Sequence, residues 1–139
     1  MDQYSQSPVF VAVIDDEKDL AYLFKDALSQ IDGVTVFAFS DALLALEHFK
    51  SNHQNYRVVV SDFRMPTMTG IEVLSKMKKI NQTVTRILMS AFEVQDHLFQ
   101  ECDCVDEFLR KPISMVRLID EVEMLVNPLR VSNTRLTGT

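Results

Sequence analysis

Five short apolar runs alternate along this chain with stretches whose apolar residues recur every three to four positions, and that alternation leaves few folds open. Residues 9–14, VFVAVI, form the first run, which by its length and β-branched content reads as a strand buried on both faces. Leu20, Leu23, Phe24, Ala27, Leu28 and Ile31 then form the stripe of an amphipathic helix, with Asp32-Gly33 expected to stop it. A second strand is expected over 34–39, followed by a helix capped by Ser40 or Asp41 with Ala42, Ala45, Leu46 and Phe49 on one face. The third strand is the valine run 58–60, and Ile71, Leu74, Met77 and Ile80 line the third helix. A fourth strand over 85–90 precedes a weak fourth helix over 93–100, and a fifth strand over 105–109 precedes a fifth helix that carries Met115, Leu118, Ile119, Val122 and Leu125. Strands that alternate with helices pair in parallel and take helices on both faces, which predicts a doubly wound α/β domain. Residues 1–8 are expected to be an extension, 9–126 the domain, and 127–139 a tail or linker with too few apolar residues to pack.

The polar residues that interrupt these strands all fall at one end. Asp15 and Asp16 follow the first strand, Asp62 the third, Ser90 the fourth and Lys111 the fifth. In an open α/β sheet the carboxyl ends of the strands share an edge, and ligands bind there where the strand order reverses. With the order 2-1-3-4-5, strands one and three are neighbours across that reversal, so three carboxylates, a hydroxyl and an ammonium meet in one crevice. Clustered carboxylates repel unless one is protonated or a cation sits among them, and Mg²⁺ suits an all-oxygen donor set shared with a phosphate oxygen. Lys111 offers a point charge for a phosphoryl oxygen, Ser90 one hydrogen bond, and Asp62 a carboxylate able to act as nucleophile.

Composition narrows the function further. Twenty acids against 14 bases give a net charge of -6, which argues against a wide nucleic-acid-binding face. No apolar run approaches the roughly 20 residues of a membrane span, and the N-terminus lacks a secretory signal pattern, so a cytoplasmic protein is expected. Cys102 and Cys104 are too close for an easy disulfide and too few for a zinc site. His48, His53 and His97 read as surface residues.

VIDDE at 13–17, DFRMPTMTG at 62–70, SA at 90–91 and KP at 111–112 together resemble the receiver domain of two-component response regulators, of the chemotaxis-regulator type. The likeness spans about 9–126, and 46, 28 and 21 residues separate Asp16, Asp62, Ser90 and Lys111 in turn. It implies a flavodoxin-like fold of five strands and five helices, with Asp62 as phosphoacceptor. Asp16 would ligate Mg²⁺ directly, Asp15 through water, and the Arg64 carbonyl would join Asp62 in completing the set. Lys111 would pair with the phosphoryl group, Ser90 and the Ala91 backbone would bind it after transfer, and Phe108 would be the aromatic switch residue. The implied partners are a sensor histidine kinase or phosphotransfer protein as donor, and an output domain or downstream protein. A phosphorylation-dependent dimer is also compatible. The moving surface would be the fourth helix, fifth strand and fifth helix, in a switch rather than a turnover enzyme. The alternative is a receiver-like interaction module that is never phosphorylated. A phosphohydrolase of the haloacid-dehalogenase type would need an acid two residues after the nucleophile, where Arg64 stands.

Met65-Pro66 shapes a loop away from the third strand, and Gly70 provides either an unusual backbone angle or a close approach. Taken singly, Asp16 could be a helix cap, Ser90 a strand-end hydroxyl, Lys111 a solvated charge and Phe108 core. Their common edge favours the functional reading.

Overall fold

The computed structural model describes residues 8–91 and 103–128. Five strands, β1 (Val9–Ile14), β2 (Val34–Phe39), β3 (Tyr56–Asp62), β4 (Thr85–Ser90) and β5 (Glu107–Arg110), form one parallel sheet in the order β2-β1-β3-β4-β5. Four helices are described: α1 (Lys18–Leu28), α2 (Ala42–Asn52), α3 (Gly70–Ile80) and α4 (Met115–Val126). The helix expected over 93–100 lies outside the described residues, so α4 here is the fifth of the sequence pattern.

Side chains alternate across each strand, which splits the core into two layers. Val11, Val13, Val58, Val60, Ile87 and Met89 pack with Phe24 and Leu28 of α1 and with Leu118 and Val122 of α4. Ala12, Ile14, Val59 and Leu88 pack with Ala45 and Phe49 of α2 and with Val73, Leu74 and Met77 of α3. Near-continuous apolar strands are therefore what a sheet covered on both faces requires.

The helix starts are fixed locally. The Asp41 carboxylate accepts from the Leu43 amide at 2.8 Å, Thr69 and Glu72 form a capping box at α3, and the Ser114 hydroxyl accepts from the Arg117 amide at 3.2 Å. Glu17 holds the cap position of α1 without a side-chain bond, so Asp16 is not that helix's cap. Four expectations shift. Helix α1 ends at Leu28, before Asp32-Gly33, because the Ser29 hydroxyl and amide both turn back to the Lys25 carbonyl, at 2.6 and 2.9 Å. Strand β5 starts at Glu107 rather than Val105, where Asp106 turns its carboxylate onto the Arg86 amide at 2.8 Å. Cys104 is buried and disulfide-bonded rather than a separate thiol; Cys102 lies outside the described residues. His48 is half-buried instead of on the open surface, its Nδ1 2.7 Å from the Tyr56 hydroxyl and its ring against Phe10, Phe37 and Phe39.

Candidate phosphoacceptor and metal site

The chain leaves β1 and β3 at the carboxyl edge of the sheet, and each strand delivers a buried acid there. Asp15 is 0% exposed and Asp62 8% exposed, while Asp16 beside them is open to solvent. One carboxylate oxygen from each of the three lies within 4.8 Å of the others. Asp15 is held from two sides: its amide donates to the Phe39 carbonyl at 3.0 Å, and its Oδ1 accepts from the Glu17 amide at 2.9 Å. Asp62 Oδ1 accepts from the Phe63 amide at 3.0 Å.

Lys111 ties the two buried acids together. Its Nζ lies 3.4 Å from Asp15 Oδ2 and 3.2 Å from Asp62 Oδ1. Its own amide donates to the Ser90 carbonyl at 2.8 Å, one step beyond the β4–β5 ladder, which ties the lysine to the buried Ser90 through the backbone. The Lys111-Pro112 peptide is cis.

Burial pushes the Asp62 carboxyl above its ordinary range; Asp15 adds to the rise, while Lys111 and the Phe63 amide oppose it. Burial works against the Lys111 ammonium too, yet the attraction of Asp15 and Asp62 outweighs it and raises the Lys111 pKa. With all three acids ionised, the one ammonium leaves two negative charges uncompensated. A hard divalent cation with oxygen ligands matches that deficit, so the donor set fits Mg²⁺.

A cavity of about 240 Å³ opens above these groups, lined by Asp16, Glu17, Asp62, Arg64, Ser90, Ala91 and Lys111. At about 30 Å³ per water it has room for a hydrated ion and a phosphoryl group together. Of the residues expected in the site, Asp15 does not line the cavity but is buried behind it against Lys111, and Phe108 stands apart, half-buried in the layer that contains Leu88 and Cys104. Glu17 is a wall that sequence reasoning missed: a third acid after two others carries no signal of its own.

Gly70 proves to be a close approach. Its φ is not positive, but a Cβ there would lie 2.3 Å from the Asp62 carbonyl oxygen and 2.7 Å from Leu88 Cδ1. The Gly70 amide donates to the Phe63 carbonyl at 2.8 Å, so the start of α3 is seated directly on the segment that carries Asp62.

The family model for the response regulator receiver domain matches residues 11–123. The chain belongs to the response regulator receiver family. A receiver domain of phosphorelay signalling accounts for the strand order, the acid cluster and the lysine at once. The chain is 29% identical over 120 residues to the probable transcriptional regulatory protein TcrX of Mycobacterium tuberculosis, covering 86% of this chain and 50% of that protein. It is 31% identical over 105 residues to the transcriptional regulatory protein TctD of Salmonella typhimurium, covering 75% and 46% respectively. The receiver thus spans about half the length of these two relatives. Among solved structures, the response regulator TrrA of Thermotoga maritima, in complex with Mg²⁺ and BeF, superposes with a TM-score of 0.71 at 27% identity, over 85% of this chain and 99% of that one. No helix among the described residues is long and apolar enough to cross a membrane.

Proposed function

We propose that this receiver accepts a phosphoryl group on Asp62 from the phosphohistidine of a sensor kinase or phosphotransfer protein, in a Mg²⁺-dependent reaction. The observation that carries the proposal is Lys111 bridging Asp15 and Asp62 at the wall of a cavity that opens onto Asp16 and Asp62. A carboxylate oxygen of Asp62 attacks phosphorus, the phosphorus–nitrogen bond to the donor imidazole breaks, and the imidazole nitrogen takes up a proton. Asp15, Asp16, Asp62 and the Arg64 carbonyl would hold the Mg²⁺, which when bound neutralises charge on the phosphoryl oxygens.

The chain's own residues do the rest. Asp15, locked by its two hydrogen bonds, keeps Lys111 at the mouth of the site, and Lys111 follows the charge from the Asp62 carboxylate to a phosphoryl oxygen. Two unit charges 4 Å apart at an effective dielectric of 20 interact by about 4 kcal/mol. A two-state element needs about 5.5 kcal/mol to move from 1:99 to 99:1, so redirecting Lys111 and the Ser90 hydroxyl supplies a bias of the right order. Ser90 and the Ala91 amide then bind the phosphoryl oxygens. Phe108 responds through β5, and the β5–α4 surface transmits the change to an output domain or downstream protein. Each transfer modifies the chain itself, so it acts as a cytoplasmic switch and not as a turnover enzyme.

A second cavity supports a protein donor. About 580 Å³ in volume, it is lined by Leu20, Leu23 and Phe24 of α1 and by Ile113 and Met115 at the start of α4. It shares Glu17, Ala91 and Lys111 with the acceptor cavity, so an apolar helix seated there would face Asp62.

Intact-mass analysis after incubation with Mg²⁺ and acetyl phosphate tests the proposal. One phosphoryl group is expected on the wild type and none on Asp62→Asn or after chelation. An unmodified wild type that nonetheless binds Mg²⁺ and a partner would favour the non-phosphorylated interaction module.

A further inference from the structure

Arg86 is a charged residue inside a central strand, 3% exposed, far from the acceptor cavity. Its side chain spends every donor group on the turns at the opposite edge of the sheet. Nε donates to the Cys104 carbonyl at 2.8 Å, Nη1 to the Val84 carbonyl at 2.7 Å and the Gln82 carbonyl at 3.4 Å, and Nη2 lies 3.3 Å from Asp106 Oδ2. The Arg86 backbone also binds the same residue twice: its amide donates to the Asp106 carboxylate Oδ2 and its carbonyl accepts from the Asp106 amide, each at 2.8 Å.

The position of this pair gives it a consequence at the other end of the sheet. In the β4–β5 ladder Ile87 faces Glu107, Leu88 faces Phe108, Met89 faces Leu109 and Ser90 faces Arg110. Arg86 and Asp106 extend that register by one step. Strand β5 cannot set its register by burial, because it is a four-residue edge strand in which Leu109 is the one buried side chain. A slip of one residue would carry Lys111 about 3.3 Å along the strand, as far as its whole distance to Asp62, and would turn Phe108 to the opposite face of the sheet.

We infer that Arg86 and Asp106 form a clamp that sets the register of β5 and thereby positions Lys111 and Phe108. Both are positioning residues, and neither touches the acceptor site. The inference rests on the reading of Asp62 as phosphoacceptor and Lys111 as its partner. Arg86→Met removes one partner of a buried pair and can be strongly destabilising, so it is read only after thermal melting shows that it folds, beside Asp106→Asn as the milder probe that keeps a side-chain acceptor.

The test measures the initial rate of phosphorylation by acetyl phosphate and, by calorimetry, the affinity for Mg²⁺, in Arg86→Met, Asp106→Asn, Lys111→Ala and the two clamp variants combined with Lys111→Ala. Mg²⁺ affinity reads the acids on β1 and β3, whereas the rate also reads Lys111. The clamp variants are expected to phosphorylate about tenfold more slowly, within the about 10²-fold that a 1 Å misplacement can cost, and to bind Mg²⁺ within about twofold of wild type. Adding Lys111→Ala to a clamp variant should then slow it little beyond Lys111→Ala alone. Effects that multiply, an unchanged rate in both clamp variants, or Mg²⁺ affinity falling in parallel with rate in the milder variant would overturn the clamp. A wild type that takes up no phosphoryl group would instead remove the phosphoacceptor reading beneath it.

Discussion

Replacing Gly70 by alanine should damage phosphorylation more than it damages the fold. The new methyl group would sit 2.3 Å from the Asp62 carbonyl oxygen and 2.7 Å from Leu88 Cδ1, whereas ordinary contact begins at 3.4 Å. The backbone oxygen cannot rotate aside, so the start of α3 and the end of β3 must part by about 1 Å. Overpacking of this kind costs about 1–3 kcal/mol, against a gain of up to about 1 kcal/mol from replacing glycine in a helix. The net loss of stability is therefore modest, roughly 0–3 kcal/mol, and the protein should still fold. Asp62 is displaced, however, and with it the Gly70 amide bond to the Phe63 carbonyl that seats the loop. A 1 Å displacement at a reacting carboxylate can cost about 10²-fold in rate. Thermal denaturation and the rate of acetyl phosphate labelling, measured on the same preparation, separate the two effects. A higher melting temperature with an unchanged labelling rate would refute the reasoning, since the helix would have absorbed the methyl group without moving Asp62.

Three further outcomes follow from other parts of the molecule. Burial, then the hydrogen bond and charge of Glu121, push the Glu107 carboxyl above its ordinary value. The folded state thus binds that proton more tightly than the unfolded one, and stability is lost as pH rises from the unfolded pKa through the folded one. Glu107→Gln should accordingly raise the melting temperature at pH 7, with the gain vanishing below the unfolded value of about 4.5; a constant gain at all pH values would assign it to packing. Arg64→Ala should shorten the lifetime of the phosphorylated chain, because the exposed Arg64 lines the cavity through which water reaches the phosphoryl group; equal dephosphorylation rates would exclude that role. Asp41→Ala removes the cap bond to the Leu43 amide and should cost about 1 kcal/mol in chemical denaturation, with phosphorylation unaffected.

The sheet and its functional edge were legible because strands buried on both faces leave continuous apolar runs, and a polar residue ending such a run stands out. Asp15, Asp62, Ser90 and Lys111 were singled out in that way, whereas Phe108 and Ala91 were named only through the family resemblance. What the pattern hid were polar groups whose partners are remote in sequence. Arg86 within TRILMS looks like the solvated face of a strand, and only the return of the chain at Cys104 and Asp106 brings the remote carbonyl and carboxylate that help to bury it. His48 on α2 looks like a surface residue until β1 and β2 bring Phe10, Phe37 and Phe39 around it. The start of β5 was misplaced for the same reason, since Asp106 is diverted by an arginine 20 residues earlier.

The central claim is that Asp62, and no other residue, carries the phosphoryl group. Borohydride reduction of the labelled protein converts an acyl phosphate on aspartate into homoserine, and peptide mapping then locates it. Homoserine at position 62, absent without Mg²⁺, is the predicted result. Homoserine at Asp15 or Asp16, or label confined to a histidine, would contradict the account.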